Sequence, residues 1–401
     1  MEKYDVGIVG AGPGGMAAAI EIKNLNENVN TVIFEKKDIP GKKLSATGNG
    51  VCNISNTGAK TYVETANFFH NLGLFLVEET DGRVYPASKE ARGVTELLVG
   101  ELKRRKVEIK LGTEVVACSK NSDGFFLIET VGDSKKTEYL CKKIIIAGGG
   151  KASPVFGSGG ESFALAKSMG HSTTKLIPAL TYLEGTFLGK STYNIKKIRR
   201  DTEVSLFKKG KLIAKEEGQI QFTEKGISGI CVFNLSPLVA LDEEHSFRDY
   251  FVSIDLLPKI SKEEVCDFLK SDGLLYKRVI EGLRGLLNRK LAEFIPAALN
   301  LSKDMILEDM EPFMRDKLLE TLKGGNFSVM GSGGWKEAQV TKGGILWSEL
   351  EKKTLESKIV SGLYFAGEVL DYWGPCGGFN LEHAWSTGRK AGRNIVESLD
   401  I

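Results

Sequence analysis

The sequence predicts an α/β protein in which a doubly wound, mainly parallel sheet domain is interrupted by a long insert. The chain opens with an apolar strand, a glycine turn and a helix-like segment within residues 6–25. Two later apolar runs, residues 144–147 and 363–366, have the uniform hydrophobicity of parallel strands that are buried on both faces. Between residues 178 and 340 the pattern changes. We therefore predict one domain from residues 1–177 and 341–401, and an insert between them.

The insert combines two kinds of secondary structure. Residues 178–257 and 326–340 show the alternating polarity of β strands, and residues 258–325 show helical spacing. Ser261 opens the helical part, with Glu264 three residues later, which is the signature of a capping box.

Composition narrows the class of protein. Of 401 residues 42% are hydrophobic, and 54 Lys and Arg against 52 Asp and Glu leave a formal charge of +2. This balance gives no electrostatic reason to expect nucleic acid or an anionic membrane as a partner. The chain shows no apolar run near the roughly 18 to 20 residues that span a bilayer. A strand-like segment begins within five residues of Met1, so we predict a cytoplasmic protein without a signal peptide.

The first motif is a glycine turn between a strand and a helix. Gly10, Gly12 and Gly15 form G-x-G-x-x-G, in which the glycines allow a tight turn, close approach of a pyrophosphate, and close packing of helix on strand. A second strand, residues 31–34, ends at Glu35. A carboxylate there accepts hydrogen bonds from an adenosine ribose with a free 2'-hydroxyl. The unit therefore predicts binding of FAD or NAD.

The C-terminal region favours FAD over NAD. Residues 363–366 end at Gly367 and Glu368, and a glycine turn at residues 374–378 precedes a helix-like segment. FAD is long enough to need a second binding contact for its ribityl chain and flavin ring, whereas an NAD site needs no contribution from the C-terminal region. We predict that Glu368 binds the ribityl chain and that the helix N-terminus faces the flavin ring, where its partial positive charge stabilises the reduced form.

The sequence resembles the BaiN-like, or aminoacetone oxidase-like, FAD-dependent flavoproteins, whose FAD domain is similar to that of the glutathione-reductase superfamily. The segments that carry the resemblance span nearly the whole chain: "GAGPGGMAAAI" (10–20), "FEKKDIPGKKLSATGNGVCNISN" (34–56), "GTEV" (112–115), "IIIAGGG" (144–150), "FTEKGISG" (222–229), "AQVTKGGI" (338–345) and "GLYFAGEVLDYWGPCGGFNLEHAWSTGRKAG" (362–392).

The resemblance implies a Rossmann-like FAD-binding domain, with an insert made of a β-barrel-like part and a helical part. It also implies a set of FAD contacts, with Gly10, Gly12, Gly14 and Gly15 at the pyrophosphate, Glu35 at the ribose and Val115 at the adenine. The loop that covers the cofactor would contribute Lys36, Lys43, Thr47, Gly48, Asn49 and Gly50. Gly148 would form the cofactor floor, Glu368 would bind the ribityl chain, and Gly378, Phe379 and Asn380 would lie at the flavin ring.

No residue stands out as a catalytic acid, base or nucleophile. Cys52 and Cys376 are small packing residues, substrate contacts, or a redox pair joined through the fold, since the six cysteines contain no C-x-x-C. His383 is either a catalytic acid or a packed histidine, and Trp373 either lines a substrate pocket or packs. Arg83 is a candidate contact for an anionic or carbonyl substrate.

The cysteines and the four histidines have no metal-ligand spacing, so no metal site is predicted. The function that we predict is FAD-dependent reduction of an unsaturated or carbonyl-containing small molecule. NAD(P)H would visit the flavin transiently, since one complete dinucleotide motif is present. Two alternatives stay open: an oxidase of a small amine, and a flavin-bound module that binds or modifies nucleic acid. The sequence does not predict the oligomeric state.

Overall fold

The computed structural model describes residues 1–132, 135–239 and 246–399. His245, one of the four histidines considered for metal binding, lies outside the described residues. The chain divides into two compact units, which we call unit 1 (Met1–Ala179 with Ala338–Ile401) and unit 2 (Leu180–Glu337).

The first segment of unit 1 contains both strands and helices. Its strands are β1 (Glu2–Val9), β2 (Thr31–Phe34), β3 (Ser55–Asn56), β4 (Leu76–Glu78), β5 (Arg83–Pro86), β6 (Glu108–Lys110), β7 (Glu114–Lys120), β8 (Phe126–Gly132), β9 (Lys135–Ile146) and β10 (Ile177–Ala179). Its helices are α1 (Pro13–Leu25), α2 (Lys42–Ser45), α3 (Tyr62–Asn71), α4 (Ala91–Arg104) and α5 (Glu161–Ser168).

Unit 2 follows and is built from a β sheet and helices. Its strands are β11 (Leu183–Phe187), β12 (Lys190–Ser191), β13 (Arg199–Lys208), β14 (Lys211–Phe222), β15 (Gly226–Ser228), β16 (Tyr250–Asp255) and β17 (Gly325–Ser332). Its helices are α6 (Ile230–Leu235), α7 (Lys262–Leu269), α8 (Asp272–Leu275), α9 (Val279–Leu283), α10 (Arg289–Ala298) and α11 (Pro312–Gly324). The chain then returns to unit 1 with β18 (Val340–Lys342), β19 (Leu363–Phe365) and α12 (Phe379–Glu397).

The main sheet of unit 1 has the strand order β6-β2-β1-β9-β8-β7, and β19 also pairs with β9. Strands β6, β2, β1, β9 and β19 are parallel, and their pairing register puts Val9 opposite Phe34 and Ile146, and Ile146 opposite Phe365. The carboxyl ends of four strands therefore meet at one edge of the sheet. Ligands bind at this edge in doubly wound folds. The predicted α/β class is confirmed.

Helices α1 and α12 pack against each other through small residues. A Cβ built on Gly388 would lie 2.2 Å from the carbonyl oxygen of Gly14, and one built on Gly392 would lie 2.6 Å from that of Ala18. A side chain at either glycine would push the helices apart, because real Cβ atoms do not approach carbonyl oxygens this closely. The two glycines of α12 thus allow α1 and α12 to pack closely within unit 1.

The sheet of unit 2 closes into a barrel. Its order is β12-β11-β15-β14-β13-β16-β17, and β11 also pairs with β17, so that six strands form a ring with β12 attached at its edge. Phe187, Phe222 and Phe327 are fully buried inside unit 2. The β-barrel-like part that the family resemblance implies is confirmed.

The helical part of unit 2 begins at the predicted capping box. The Ser261 hydroxyl accepts a hydrogen bond from the Glu264 N–H at 3.1 Å, and the Glu264 carboxylate accepts one from the Ser261 N–H at 2.8 Å. Across residues 1–132, 135–239 and 246–399, no helix is long and apolar enough to cross a membrane.

Candidate cofactor site

Among the described residues, Gly12 is the position of the glycine motif between β1 and α1 that leaves room for a ligand. Gly10 has φ +100°, and a Cβ built on it would lie 2.6 Å from Gly148 Cα, while one on Gly15 would lie 2.0 Å from the Gly10 carbonyl oxygen. A Cβ on Gly12, by contrast, would meet only the Ala147 oxygen, at 3.9 Å. Gly10 and Gly15 are therefore required for packing, and Gly12 faces the open space of the turn.

The N-terminus of α1 has the electrostatics of an anion site. Gly12 is its N-cap, its first turn carries no acidic residue, and Pro13 lies in the first turn. In the part of the chain that the structure describes, no side chain caps this N-terminus. The N–H groups of the first turn and the helix dipole therefore favour a negatively charged group such as a pyrophosphate.

Glu35 is held at the end of β2 by two backbone groups. Its Oε2 accepts a hydrogen bond from the Ala11 N–H at 2.8 Å, and its Oε1 accepts one from the Lys37 N–H at 2.9 Å. A carboxylate has about four acceptor sites, so two hydrogen bonds leave capacity for ribose hydroxyls. The contact with Ala11 orients the carboxylate beside the glycine turn.

Three other residues predicted to contact FAD are Lys36 in the covering loop, Val115 at the adenine and Gly148 at the cofactor floor. Lys36 forms ion pairs with Glu161 and, at 3.5 Å, with Glu114, so its ammonium group is engaged within the protein. Val115 follows Glu114 in β7 and is buried. Gly148 lies against Gly10, and a Cβ built on it would lie 2.5 Å from Ser162 Oγ.

Glu368 joins three segments that are distant in sequence. Its Oε2 forms an ion pair with Lys43 Nζ at 2.8 Å, across 325 residues of sequence, and its Oε1 accepts a hydrogen bond from the Thr341 N–H at 2.9 Å. A Cβ built on Gly150 would lie 2.6 Å from the same Oε1. The structure thus brings together two predicted FAD residues, Lys43 and Glu368, at the carboxyl-end edge of the sheet.

The loop that was predicted to cover the cofactor forms a tight turn at Thr47–Gly50. Gly48, Asn49 and Gly50 all have positive φ, at 57°, 55° and 93°. Gly48 and Asn49 are exposed, and the Thr47 hydroxyl donates to the Leu44 carbonyl oxygen at 2.7 Å. An asparagine tolerates this left-handed conformation better than most residues, which explains the residue types of this turn.

The start of α12 is shaped by close packing against Ser55 and by hydrogen bonds between Asn380 and Gly374. Gly377 and Gly378 have φ of +124° and +97°, and a Cβ on Gly378 would lie 2.2 Å from the Ser55 carbonyl oxygen. The Asn380 amide closes the turn itself, donating to the Gly374 oxygen and accepting from the Gly374 N–H, both at 2.9 Å. Asn380 therefore contributes its side chain to the turn, and Phe379 begins the helix.

A buried carboxylate that sequence analysis missed lies one turn into α12. Glu382 is 3% exposed, and its carboxylate accepts hydrogen bonds from Ser55 at 2.5 Å, Thr61 at 2.6 Å and Thr65 at 2.7 Å. An acid in the first turn of a helix is ordinary, because the helix dipole favours it. Nothing in its local sequence marks it as buried, so only the fold reveals that it ties α12 to β3 and α3.

The cysteines give no support to a redox pair. All six are free thiols, and Cys52 is fully buried, with its pKa raised to about 11 by burial, a hydrogen bond with Thr47 acting the other way. The thiolate is the reactive form of cysteine, so the burial and the raised pKa of Cys52 favour the packing alternative.

We therefore expect Cys52→Ala to reduce FAD-dependent turnover by no more than about twofold, with a stability loss on the order of 1 kcal/mol from the small cavity. Steady-state kinetics and urea unfolding of the variant check this. A complete loss of turnover in a folded, FAD-loaded variant would contradict the packing role.

The surroundings of His383 favour a neutral, packed histidine. Its ring stacks on that of Tyr372, with centroids 4.1 Å apart and planes at 19°. Burial lowers its pKa from 6.5 to about 4, while a hydrogen bond with the Gly367 backbone acts in the other direction. An imidazole that is neutral above about pH 4 is not an imidazolium acid at neutral pH, so the packed alternative is favoured.

This lowered pKa makes the stability of the protein depend on pH. Between pH 6.5 and about 4 the unfolded chain binds a proton at His383 that the folded chain excludes, so the free energy of unfolding falls as the pH falls. The slope from one such group is at most about 1.4 kcal/mol per pH unit. We expect His383→Gln to lose less stability than the wild type between pH 7 and pH 5, as measured by urea unfolding at both values. Equal losses would contradict this assignment.

The remaining substrate-side candidates lie around the turn before α12. Lys342 Nζ lies 5.2 Å from the ring centroid of Trp373. Cys376 is partly exposed. A Cβ built on Gly377 would lie 3.8 Å from both Cγ and Nε of Arg83.

The residues fit a long dinucleotide. The uncapped N-terminus of α1 and Glu35 lie at one end of the strand edge. Glu368 and the glycine turn before α12 lie at the other end. FAD would be held by these two groups of residues. The described residues contain no cluster of His, Cys, Asp or Glu that could hold a metal ion. Fold and site together define an FAD-dependent oxidoreductase with a Rossmann-like domain.

Comparison with known proteins agrees with this class. Residues 60–394 match the family described as "HI0933-like protein Rossmann domain", and residues 8–71 match an NAD(P)-binding Rossmann-like domain. The chain belongs to the HI0933-like family, which includes the BaiN-like and aminoacetone oxidase-like proteins that the sequence resembles.

Two relatives have names that describe a reaction. The chain is 34% identical to a 3-dehydro-bile acid delta(4,6)-reductase of Clostridium scindens, over 98% of this chain and 99% of the relative. It is 26% identical to a ribosomal RNA dihydrouridine synthase of Escherichia coli, over 99% of each.

Solved structures support the fold. A flavocytochrome c3 fumarate reductase in its open conformation matches with a TM-score of 0.52 and 16% identity, covering 99% of this chain and 78% of that one. A 3-ketosteroid delta1-dehydrogenase of Sterolibacterium denitrificans matches with a TM-score of 0.51 and 14% identity, covering 100% of both. At these identities the likeness concerns the fold alone.

Proposed function

We propose that the protein reduces a carbon–carbon double bond conjugated to a carbonyl group in a small organic molecule, with NAD(P)H as the electron donor. The observation that carries this proposal is the 34% identity, over almost the full length of both chains, to a 3-dehydro-bile acid delta(4,6)-reductase. A keto group next to such double bonds makes the far carbon electron-poor. Bound FAD supplies the chemistry of accepting a hydride from a nicotinamide and passing it on.

The chain's own residues bind and orient the reactants. The α1 N-terminus and Glu35 would hold the adenosine diphosphate half of FAD, and Glu368 with Lys43 would hold the ribityl half. The α12 N-terminus supplies partial positive charge that favours a negatively charged flavin. The cofactor motif at Gly10–Gly15 serves FAD, so the nicotinamide would visit the flavin and leave again.

A second candidate substrate is a uracil base in RNA. The relative that is named a ribosomal RNA dihydrouridine synthase aligns over 99% of both chains, and forming dihydrouridine from uridine also saturates a double bond conjugated to a carbonyl. The two substrates would therefore undergo the same type of reaction, the reduction of a carbon–carbon double bond conjugated to a carbonyl group. The net charge of +2 works against a general affinity for polyanions, so we favour the small molecule.

Anaerobic stopped-flow mixing of the FAD-loaded protein tests the proposal. We expect NADH or NADPH to bleach the flavin absorbance, and a steroid enone to restore it. The same reduced protein is mixed with ribosomal RNA that lacks modified bases, followed by digestion and mass spectrometry for dihydrouridine.

The outcomes separate the candidates. Reoxidation by the enone supports the proposal, and reoxidation by RNA with dihydrouridine formed supports the second candidate instead. Bleaching by a small amine but by neither nicotinamide, with peroxide formed in air, would contradict both and support the amine oxidase that the family resemblance leaves open.

A further inference from the structure

Four residues of unit 1 form a closed ring of hydrogen bonds, which we call the anchor ring. Lys43 Nζ donates to Glu368 Oε2 at 2.8 Å and to the Ala152 carbonyl oxygen at 3.2 Å. The Ala152 N–H donates to the Thr341 hydroxyl at 3.1 Å, and the Thr341 N–H donates to Glu368 Oε1 at 2.9 Å. The anchor ring therefore joins four segments of the chain that are distant in sequence.

The members of the anchor ring differ in burial. Thr341 and Ala152 are fully buried, whereas the side chains of Lys43 and Glu368 are 27% and 20% exposed. The two accessible members are the ones predicted to contact FAD. Thr341 and Ala152 are therefore placed to support them.

The remaining hydrogen-bonding capacity of the anchor ring falls on the same two accessible residues. A hydroxyl has two acceptor sites, and both of those on Thr341 are used, since the Lys151 N–H donates to it at 2.7 Å as well as the Ala152 N–H. A carboxylate has about four acceptor sites, and an ammonium group has three donors. Across the described part of the chain, contacts use two sites on Glu368 and two donors on Lys43. Glu368 and Lys43 thus keep capacity for a ligand, and the acceptor sites of Thr341 do not.

Gly150 shows how closely the neighbouring loop fits the anchor ring. A Cβ built on Gly150 would lie 2.4 Å from Thr341 Oγ1 and 2.6 Å from Glu368 Oε1. Both oxygen atoms therefore face the same stretch of backbone. If this loop moved away from Thr341, Ala152 would move with it, and Lys43 would lose the carbonyl oxygen that orients its ammonium group.

We propose that Thr341 is a positioning residue for FAD. Its hydroxyl fixes residues 150–152, and through Ala152 and its own N–H it holds Lys43 and Glu368 in the orientation that binds the ribityl chain. Side chains that are ordered in advance strengthen binding, because less conformational freedom is lost when the ligand binds. This inference rests on the proposed contact of Glu368 with FAD and adds a residue that the sequence did not mark.

Titration of the apoprotein with FAD, followed by flavin fluorescence, tests the role of the hydroxyl. Thr341→Val replaces it with a methyl group of similar size, so that two backbone N–H groups lose their acceptor. We expect FAD affinity to fall about tenfold. Thr341→Ser keeps the hydroxyl and should bind FAD within about twofold of the wild type.

Thr31→Val is the matched control. Thr31 is also a buried threonine of unit 1, 1% exposed, and its hydroxyl donates to the Val29 carbonyl oxygen at 3.2 Å. This variant should lose stability in urea unfolding of the apoprotein and still bind FAD within about twofold of the wild type. If Thr341→Val does not fold, Thr341→Ala, which places no carbon atom at the position of the hydroxyl oxygen, is titrated in its place and judged by the same criterion.

A double variant tests whether Thr341 acts through Glu368. In the Glu368→Ala background, Thr341→Val should weaken FAD binding by no more than about a further twofold, because the group that it positions is already absent. A further loss of about tenfold in that background, or an unchanged FAD affinity in Thr341→Val alone, would overturn the inference.

These titrations are independent of the proposed reaction. They contain neither nicotinamide nor enone, so a failure of the enone to reoxidise the flavin would contradict the proposed function and leave the predicted FAD affinities as they stand. An unchanged FAD affinity in Glu368→Ala alone would remove the proposed ribityl contact and overturn the inference with it.

Discussion

Replacing Glu368 with alanine should weaken FAD binding by about tenfold to a hundredfold. The change would remove the contacts with ribityl hydroxyls that we propose for this carboxylate, and hydrogen bonds to a charged group are worth about 1.5 to 3 kcal/mol each. The change also leaves Lys43 without the carboxylate that lies 2.8 Å from its Nζ. Equilibrium titration of the apoprotein with FAD, followed by flavin fluorescence, measures the effect.

Two controls separate this role from general damage. Glu203→Ala removes another partly buried, ion-paired glutamate, 2.6 Å from Lys215 in unit 2, and should leave FAD affinity unchanged. Trp373→Ala should change turnover while FAD remains bound. If Trp373→Ala empties the site and Glu368→Ala does not, the assignment of the two residues is wrong.

Replacing Glu382 with leucine should destabilise unit 1 by about 3 kcal/mol. Three hydroxyl groups, from Ser55, Thr61 and Thr65, would lose their shared acceptor in a buried position. A buried polar group without a partner costs about 1 to 3 kcal/mol, and rotation toward other acceptors recovers part of that cost. Amide hydrogen exchange of α12 and α3 reports the free energy of opening in this part of the fold.

The single-hydroxyl variant Ser55→Ala is the comparison for this effect. It removes one donor and leaves two on the carboxylate, so we expect a loss of about 1 kcal/mol. FAD affinity should fall in Glu382→Leu, because the Ser55 backbone packs against Gly378 at the start of α12. A stability equal to that of the wild type would show that the three hydroxyls find other partners at no cost.

The parts of the fold that depend on local patterns could be predicted from the sequence. The glycine spacing, the apolar strands and the acid at the end of the second strand predict the first β-α-β unit. The structure has β1, α1 and β2 there, with Glu35 accepting a hydrogen bond from Ala11. The capping box at Ser261 was found in the same way. Each of these features involves residues that are close in sequence.

Features that depend on distant pairing could not be derived from local patterns. Closure of the barrel needs β11 to pair with β17, and the Glu368–Lys43 contact joins residues 325 apart. The local sequence around Glu382 shows nothing unusual, and its burial follows from the packing of α12 against β3 and α3. The family resemblance, and not the residue pattern, supplied the expectation of a barrel.

The central claim is that the two ends of the strand edge hold one dinucleotide, with Glu35 and the α1 N-terminus at one end and Glu368 at the other. Titration of the apoprotein with FAD and, separately, with FMN tests it most directly, because FMN lacks the adenosine and the second phosphate. The claim predicts saturation at one FAD per chain and binding of FMN at least about a hundredfold weaker, the equivalent of roughly 2.7 kcal/mol. Equal affinities for FAD and FMN, or no binding of FAD, would contradict it.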